Sequence, residues 1–159
     1  MKITLQTVSR VGLLVALALA LQALGLPQPI TGPGVNAVLY VASLYIGPLA
    51  GALVGVITPW VGLMTGKALA VAVPVIIAGN VTLALVSGYL SRFNRYVAML
   101  AAALAKFGVM TAGIRYLLST GAKIPPVAYT SLTVTQLFTA LGGALVAAVI
   151  LVALPKMSK

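Results

Sequence analysis

The chain has 159 residues, of which 62% are apolar and only 6% are charged, and its ten Lys and Arg residues accompany no Asp, Glu, His or Cys. This composition excludes a soluble globular domain, carboxylate or thiol catalysis, and metal sites built from those side chains. The sequence also lacks a Walker-type phosphate loop, so we expect no enzyme, no ATP hydrolysis and no cofactor.

The apolar runs predict an all-α integral membrane bundle of six transmembrane helices in a lipid bilayer, forming a single domain, 1–159. The predicted helices are 11–26, 35–46, 48–64, 68–90, 96–118 and 128–154. The second helix is short because Pro48 divides an apolar run that exceeds the roughly twenty residues needed for one crossing. Basic residues precede helix one, as they precede the apolar run of a secretory signal peptide. No small-residue cleavage site comes after the helix, so we expect it to be retained.

The bases predict the orientation of the bundle, because Lys and Arg of short loops stay on the cytoplasmic side. With both termini cytoplasmic, most of the bases lie inside: Lys2, Arg10, Arg92, Arg95, Lys156 and Lys159. Lys67 and Lys123 then lie on the outer side. Since the bases are spread over loops and helix ends without a cluster, membrane topology explains them better than nucleic-acid binding.

Two stripes of small residues repeat at four-residue spacing, which lets helices approach closely in lipid. They are Gly12, Ala16 and Ala20 on helix one, and Gly47, Gly51 and Gly55 on helix three. We interpret the glycines of helix three as packing within the chain. For the stripe on helix one, packing within the chain and docking onto another membrane subunit both remain open.

Two bases lie within or near the end of predicted helix five. Lys106 is near its middle, where an ammonium costs about 2.5–3.5 kcal/mol to insert, and the chain contains no acid to pair with it. Either it bonds amides such as Asn80 or Gln136, or its counter-ion is a carboxylate or phosphate of a ligand. Arg115 lies near the outer end of the helix, where it is an interfacial anchor or a ligand contact.

Three further polar or aromatic residues are candidates for ligand contact. Asn80 and Gln136 would leave an amide unsatisfied in lipid, so we expect both to face the interior, where they bind a ligand or another helix. Trp60 is an interfacial belt anchor or a stacking platform.

The stretch LPQPITGPGVNAVLY, residues 26–40, is dense in Pro, Gly and small polar groups. It is longer than a connector of about four residues, which would suffice between two spans. We interpret it as a lid over an outward-facing site, with Thr31, Asn36 and Tyr40 as further candidate ligand contacts.

Three blocks resemble the substrate-binding S components of energy-coupling factor (ECF) vitamin transporters: residues 26–59, VPVIIAGN at 73–80 and TQLFTALGGALVA at 135–147. The resemblance covers essentially the whole chain. It implies that an extracellular first loop folds over a ligand pocket built from helices four to six. It also implies that Ala16-x-x-x-Ala20 docks onto a transmembrane coupling subunit, and that two partner ATPases supply the energy.

From residues and resemblance together we expect a substrate-binding subunit in the cell membrane of a prokaryote, which captures a small vitamin or precursor from outside. Lys106 and the all-basic charge set favour an anionic ligand. The alternative is a small homo-oligomeric anion channel, or a structural membrane protein, assembled through the glycine stripes.

Overall fold

The computed structural model describes residues 4–154, and the regular secondary structure in this range is entirely helical. Seven α-helices follow one another: α1 Leu5–Ala23, α2 Gln28–Val41, α3 Pro48–Met64, α4 Val73–Leu90, α5 Arg95–Ser119, α6 Pro126–Leu132 and α7 Val134–Ala153. A π-helical turn, Ala42–Ile46, continues α2, and a 3₁₀ turn, Ala70–Ala72, leads into α4. The predicted all-α bundle is confirmed.

The hydropathy of the helices fits a membrane protein. Within the described range, 4 helical segments are long and apolar enough to cross a bilayer: Leu5–Ala23, Ala70–Leu90, Arg95–Ser119 and Pro126–Ala153. Pro48–Met64 is a shorter apolar helix. Lys2, Lys156 and Lys159, on which the predicted orientation partly rests, lie outside the described residues, so the cytoplasmic placement of both termini stays a prediction.

Local sequence explains where several helices begin. Asn94 caps α5, because its side-chain oxygen accepts hydrogen bonds from the backbone N–H groups of Tyr96 at 2.9 Å and Val97 at 3.1 Å. Proline occupies the first turn of α2, α3, α4 and α6, where its missing N–H group would have no partner within the helix. These signals agree with the predicted bounds of the third helix, which are confirmed.

The connection between α1 and α2 is shorter than predicted. Gly25 adopts a φ of 76°, which a glycine tolerates without strain, and the chain re-enters a helix at Gln28 rather than at residue 35. Thr31 and Asn36 are buried within that helix. The interpretation of residues 26–40 as a lid is therefore wrong, because residues 28–40 lie in α2. The connection that remains between α1 and α2 is short, and it contributes Leu26 to the mouth of a cavity.

The predicted sixth helix is divided in two. Thr133 has φ −120° and ψ −90°, which interrupts the helix between α6 and α7. Its hydroxyl donates to the carbonyl oxygen of Tyr129 at 2.7 Å, so the break is tied to the preceding turn. None of the α6 residues is buried.

The core of the bundle surrounds α2, which packs against α7, α1, α3 and α4. Leu39, Tyr40, Leu83 and Met99 are almost completely buried there, together with many alanines. α4 lies between α3 and α5. A Cβ added at Gly55 of α3 would lie 3.0 Å from the Cβ of Asn80 in α4, so packing within the chain is confirmed for this glycine.

Candidate functional site

A hydrogen-bonded cluster in the interior is centred on Lys106. This residue is only 2% exposed. Its ammonium donates to Oδ1 of Asn36 at 2.7 Å and to Oδ1 of Asn80 at 2.8 Å. The cluster therefore joins α5 to α2 and α4 through one buried cation that is held by neutral amide oxygens.

The amides that hold Lys106 are themselves oriented by other helices. Nδ2 of Asn36 donates to the hydroxyl of Thr139 at 3.3 Å, and Nδ2 of Asn80 donates to the carbonyl oxygen of Gly55 at 3.4 Å. Because each amide nitrogen is engaged in this way, each amide oxygen points to the ammonium. The side chains are thus positioned before any ligand arrives.

Close helix packing at glycines brings these amides to the centre. A Cβ added at Gly143 of α7 would lie 2.6 Å from the Cβ of Asn36. At Gly32 of α2, an added Cβ would lie 2.6 Å from the Thr139 side chain. Small residues on both helices therefore let α2 and α7 approach closely beside the cluster.

A cavity of about 130 Å³ lies directly above the cluster. It extends from buried Lys106 to Leu26 and Lys67, both of which are exposed, so it opens at the end of the bundle that carries the α1–α2 turn. The residues of α6 that line it are Ala128, Ser131 and Leu132. The cavity is therefore a cleft with a cation at its closed end.

Five of the predicted ligand contacts line the cavity: Thr31, Asn36, Asn80, Lys106 and Gln136. The hydroxyl of Thr31 donates to the carbonyl oxygen of Leu26 at 2.8 Å. Gln136 is only 6% exposed, and its side-chain amide makes no hydrogen bond within residues 4–154. Its amide is therefore available to a ligand.

The other three predicted contacts do not line the cavity. Tyr40 is completely buried beyond the cluster, where its hydroxyl donates to the carbonyl oxygen of Met99 at 2.9 Å. Trp60 is 51% exposed beside Pro59, and Arg115 is exposed on α5. The geometry of the cavity does not support ligand contact for these residues, because one is enclosed by the core and two face outward.

Five further polar residues, which no sequence pattern marks as ligand contacts, also line the cavity: Gln22, Gln28, Thr58, Lys67 and Ser131. The sequence does set Lys67 apart in one respect. The predicted topology places it on the outer side, whereas Lys and Arg usually lie on the cytoplasmic side. The other four residues carry amide or hydroxyl groups and lie near predicted helix ends or within a hydrophobic run. Such residues are common there, so no sequence pattern distinguishes these four as ligand contacts.

The stripe on α1 lies at the surface of the protein. Gly12, Ala16 and Ala20 are all exposed, and a Cβ added at Gly12 would meet no atom within 4 Å. α1 contacts α2 and α3, and the residues by which it packs against the core are different ones: Leu14, Val15, Ala18 and Leu21. The stripe is therefore not used for packing among the described residues.

The interior on the far side of Lys106 is filled. Tyr40 and Leu83 are 0% exposed and Met99 is 2% exposed, and they continue α2, α4 and α5 away from the cavity. The cleft consequently ends at the ammonium group. A cavity that is closed at one end has the general shape of a small-molecule binding site.

Sequence comparison assigns the chain to a family. The family model for the substrate-specific component of ECF transporters matches residues 6–158, from the first turn of α1 to beyond the end of α7. Neither a curated protein nor a solved structure matches the chain. Together with the apolar helices, the family match makes this a membrane-embedded transport protein that binds a small-molecule substrate and works with an ECF module. The chain belongs to the family of substrate-specific components of ECF transporters.

Proposed function

We propose that this S component captures a small anionic vitamin or vitamin precursor from outside the cell and that Lys106 binds its anionic group. The observation that carries the proposal is the buried ammonium at the closed end of the cleft, in a chain without Asp or Glu. A buried charge is stabilised when it is paired and hydrogen-bonded. Since no side chain of this protein carries a carboxylate, we infer that a bound molecule supplies the negative charge.

The hydrogen bonds of Lys106 leave room for such a partner. A lysine ammonium has three donors, and Asn36 and Asn80 accept two hydrogen bonds from it. The third donor is available to a group in the cavity. A carboxylate there would form a charge-assisted hydrogen bond, which is stronger than a bond between neutral groups.

The free amide of Gln136 provides a second donor in the same cavity. One carboxylate has two oxygens and therefore has the capacity to accept from Lys106 and from Gln136. Thr31 and Ser131 add hydroxyl groups for the polar parts of the ligand. This set of donors and hydroxyls favours an anion over a cationic ligand.

The size of the cleft favours a compact ligand. Its volume of about 130 Å³ is close to the roughly 150 Å³ of an engineered cavity that binds benzene. Typical pockets for drug-sized molecules are about 300–1,000 Å³. A large vitamin would require the walls of the cleft to move apart.

For delivery of the ligand, we propose that the surface formed by Gly12, Ala16 and Ala20 docks onto the transmembrane coupling subunit of the ECF module, in a prokaryotic plasma membrane. The exposure of all three residues supports this assignment. Two ATPase subunits then drive transport. Exposed small residues allow the backbone of a partner helix to approach closely.

The direct test is to identify what the protein binds. Protein purified in detergent is denatured, its small molecules are extracted, and mass spectrometry compares them with extracts of a Lys106→Gln variant. We expect a compound with a carboxylate or phosphate that is enriched with the original protein. A neutral or cationic compound would overturn the assigned charge.

A second measurement addresses the alternative of an anion channel. The purified protein is reconstituted in liposomes without an ECF module, and anion efflux is followed. We expect no efflux above that of empty liposomes, because Tyr40, Leu83 and Met99 fill the interior of the chain beyond the cleft. In addition, Gly55 of the glycine stripe on α3 packs within the chain and not against a second copy. Sustained efflux would refute a binding subunit that depends on partners.

A further inference from the structure

We propose that Lys67 is a second ligand-binding cation, at the mouth of the cavity, so that the site selects compact ligands with an anionic group at each end. The inference rests on the proposed function, because it concerns the other end of the same site. It narrows the substrate class from an anion to a dianion such as a short dicarboxylate.

The backbone places Lys67 at the mouth. Lys67 follows the end of α3, where its N–H donates to the carbonyl oxygen of Gly62 at 2.9 Å and Gly66 adopts a φ of 71°. This arrangement turns the chain back towards α1. The position of Lys67 is therefore determined by the helix end and not by a free loop.

The side chain of Lys67 then reaches across to the α1–α2 turn. Its Nζ lies 3.5 Å from the carbonyl oxygen of Leu26. A Cβ added at Gly25 would lie 3.0 Å from Nζ, so the missing side chain of this glycine leaves space for the ammonium. The charge is thereby held beside the opening rather than extended into bulk solvent.

Lys67 retains most of its capacity to bind an anion. Its bond to Leu26 is long, and that carbonyl oxygen already accepts a hydrogen bond from Thr31 at 2.8 Å. Within residues 4–154 the ammonium has no other acceptor, and the chain contains no acid. Two of its three donors are therefore available to a ligand.

The two lysines differ in depth, and this difference orients the ligand. Lys106 is 2% exposed at the closed end, whereas Lys67 is exposed at the open end of the same cavity. A monoanion would satisfy only one of these cations. A ligand with two separated anionic groups would pair with both, one group inside and one at the mouth.

The experiment uses matched acids that differ by one charge. Succinate, glutarate and adipate, and the half-amide of each, are titrated into the detergent-solubilised full chain by calorimetry. We expect at least one diacid to bind about ten- to hundredfold more tightly than its half-amide. Lys67→Gln should remove that preference, because the diacid and its half-amide then meet the same neutral side chain at the mouth of the cavity. Lys123→Gln, which removes an exposed charge away from the cavity, should retain it.

The outcomes separate this inference from the function on which it rests. Equal binding of diacid and half-amide, a preference that persists in Lys67→Gln, or no diacid binding would each overturn the role of Lys67. If Lys106→Gln binds the half-amide more weakly than the original protein does, the anion site at Lys106 is supported, independently of the results for Lys67. If Lys106→Gln binds the half-amide as tightly as the original protein does, the proposed function itself is overturned.

Discussion

The ammonium of Lys106 lies 2.7 Å from Oδ1 of Asn36, although the two residues are 70 positions apart in the chain. This contact joins α5 to α2 at the closed end of the cleft. Asn36 cannot neutralise the charge, since an amide oxygen carries only a partial charge. The pair therefore holds a cation in position and leaves its counter-ion to be supplied.

The first prediction concerns the charge of Lys106. Lys106→Gln keeps a hydrogen-bond donor towards Asn36 and Asn80 but removes the cation. We expect the affinity for the co-purifying compound to fall about ten- to hundredfold in calorimetry, which is the usual contribution of a hydrogen bond to a charged group. Lys123→Gln, an equal change at an exposed position, should bind as the original protein does. Unchanged binding in Lys106→Gln would leave this lysine a purely structural role.

The second prediction supplies the missing counter-ion from the chain. Asn36→Asp places a carboxylate beside Lys106, and the hydroxyl of Thr139 is positioned to donate to it after rotation. We expect a folded protein with its melting temperature maintained or raised, and with anion binding largely lost because the new acid competes with the ligand.

The control for that variant is Asn94→Asp, which makes the same chemical change at the exposed N-cap of α5, where an aspartate also caps well. Binding should be unaffected there. If Asn36→Asp binds the anion as tightly as the original protein does, Lys106 does not bind the anionic group of the ligand.

The third prediction concerns the contact between α2 and α7. In Gly143→Ala the added Cβ would lie 2.6 Å from the Cβ of Asn36 and 2.9 Å from the backbone nitrogen of Ala37. Overpacking of this kind costs about 1–3 kcal/mol, so we expect a lower melting temperature together with weaker ligand binding. In Gly108→Ala of α5 the Cβ would meet no atom within 4 Å, and stability should be unchanged or slightly higher. Equal melting temperatures for the two variants would contradict the packing described here.

The fourth prediction separates docking from binding. Ala16→Trp and Ala20→Trp add bulk to an exposed face of α1, so folding and ligand affinity should persist. Uptake by cells or proteoliposomes that contain the complete transporter should be lost. Leu104→Trp is the control, because Leu104 is 53% exposed on α5, a helix that packs on α4 and α7. Normal uptake in both alanine variants would refute the docking surface.

Part of the fold and the site could be predicted because lipid imposes simple rules. Apolar runs identify spans, and proline at residue 48 marks the start of α3. Asn80 and Gln136 were expected inside because an unsatisfied amide is costly in lipid, and both line the cavity.

The start of α2 could not be predicted by local propensity. Gly32 and Pro33 both disfavour a helix interior, yet both lie within α2. Both pack against α7, which is remote in the chain: Gly32 fits against Thr139, and Pro33 lies against Gly142. Packing between distant segments thus outweighs the local preference, and a single sequence contains no direct sign of it.

The sequence also does not show how deep in the bundle a residue of α2 lies. Asn36 and Tyr40 lie one turn apart on the same face of α2, so helical spacing alone assigns them to one site. The structure places Asn36 at the floor of the cleft and Tyr40 beneath it, bonded to Met99. One helical turn separates a residue that lines the cavity from one that belongs to the core.

The sparse burial of α1 has a consequence for the membrane around the protein. Ala18 is its only buried residue, so α1 is held by fewer buried side chains than the other long helices. A bilayer of different thickness would change the tilt of α1 before that of the better-packed helices. Leu26 follows shortly after the end of α1 at Ala23, and its carbonyl oxygen accepts hydrogen bonds from Thr31 and Lys67. Because Leu26 also lines the cavity, a change in the tilt of α1 would be felt at the mouth of the cleft.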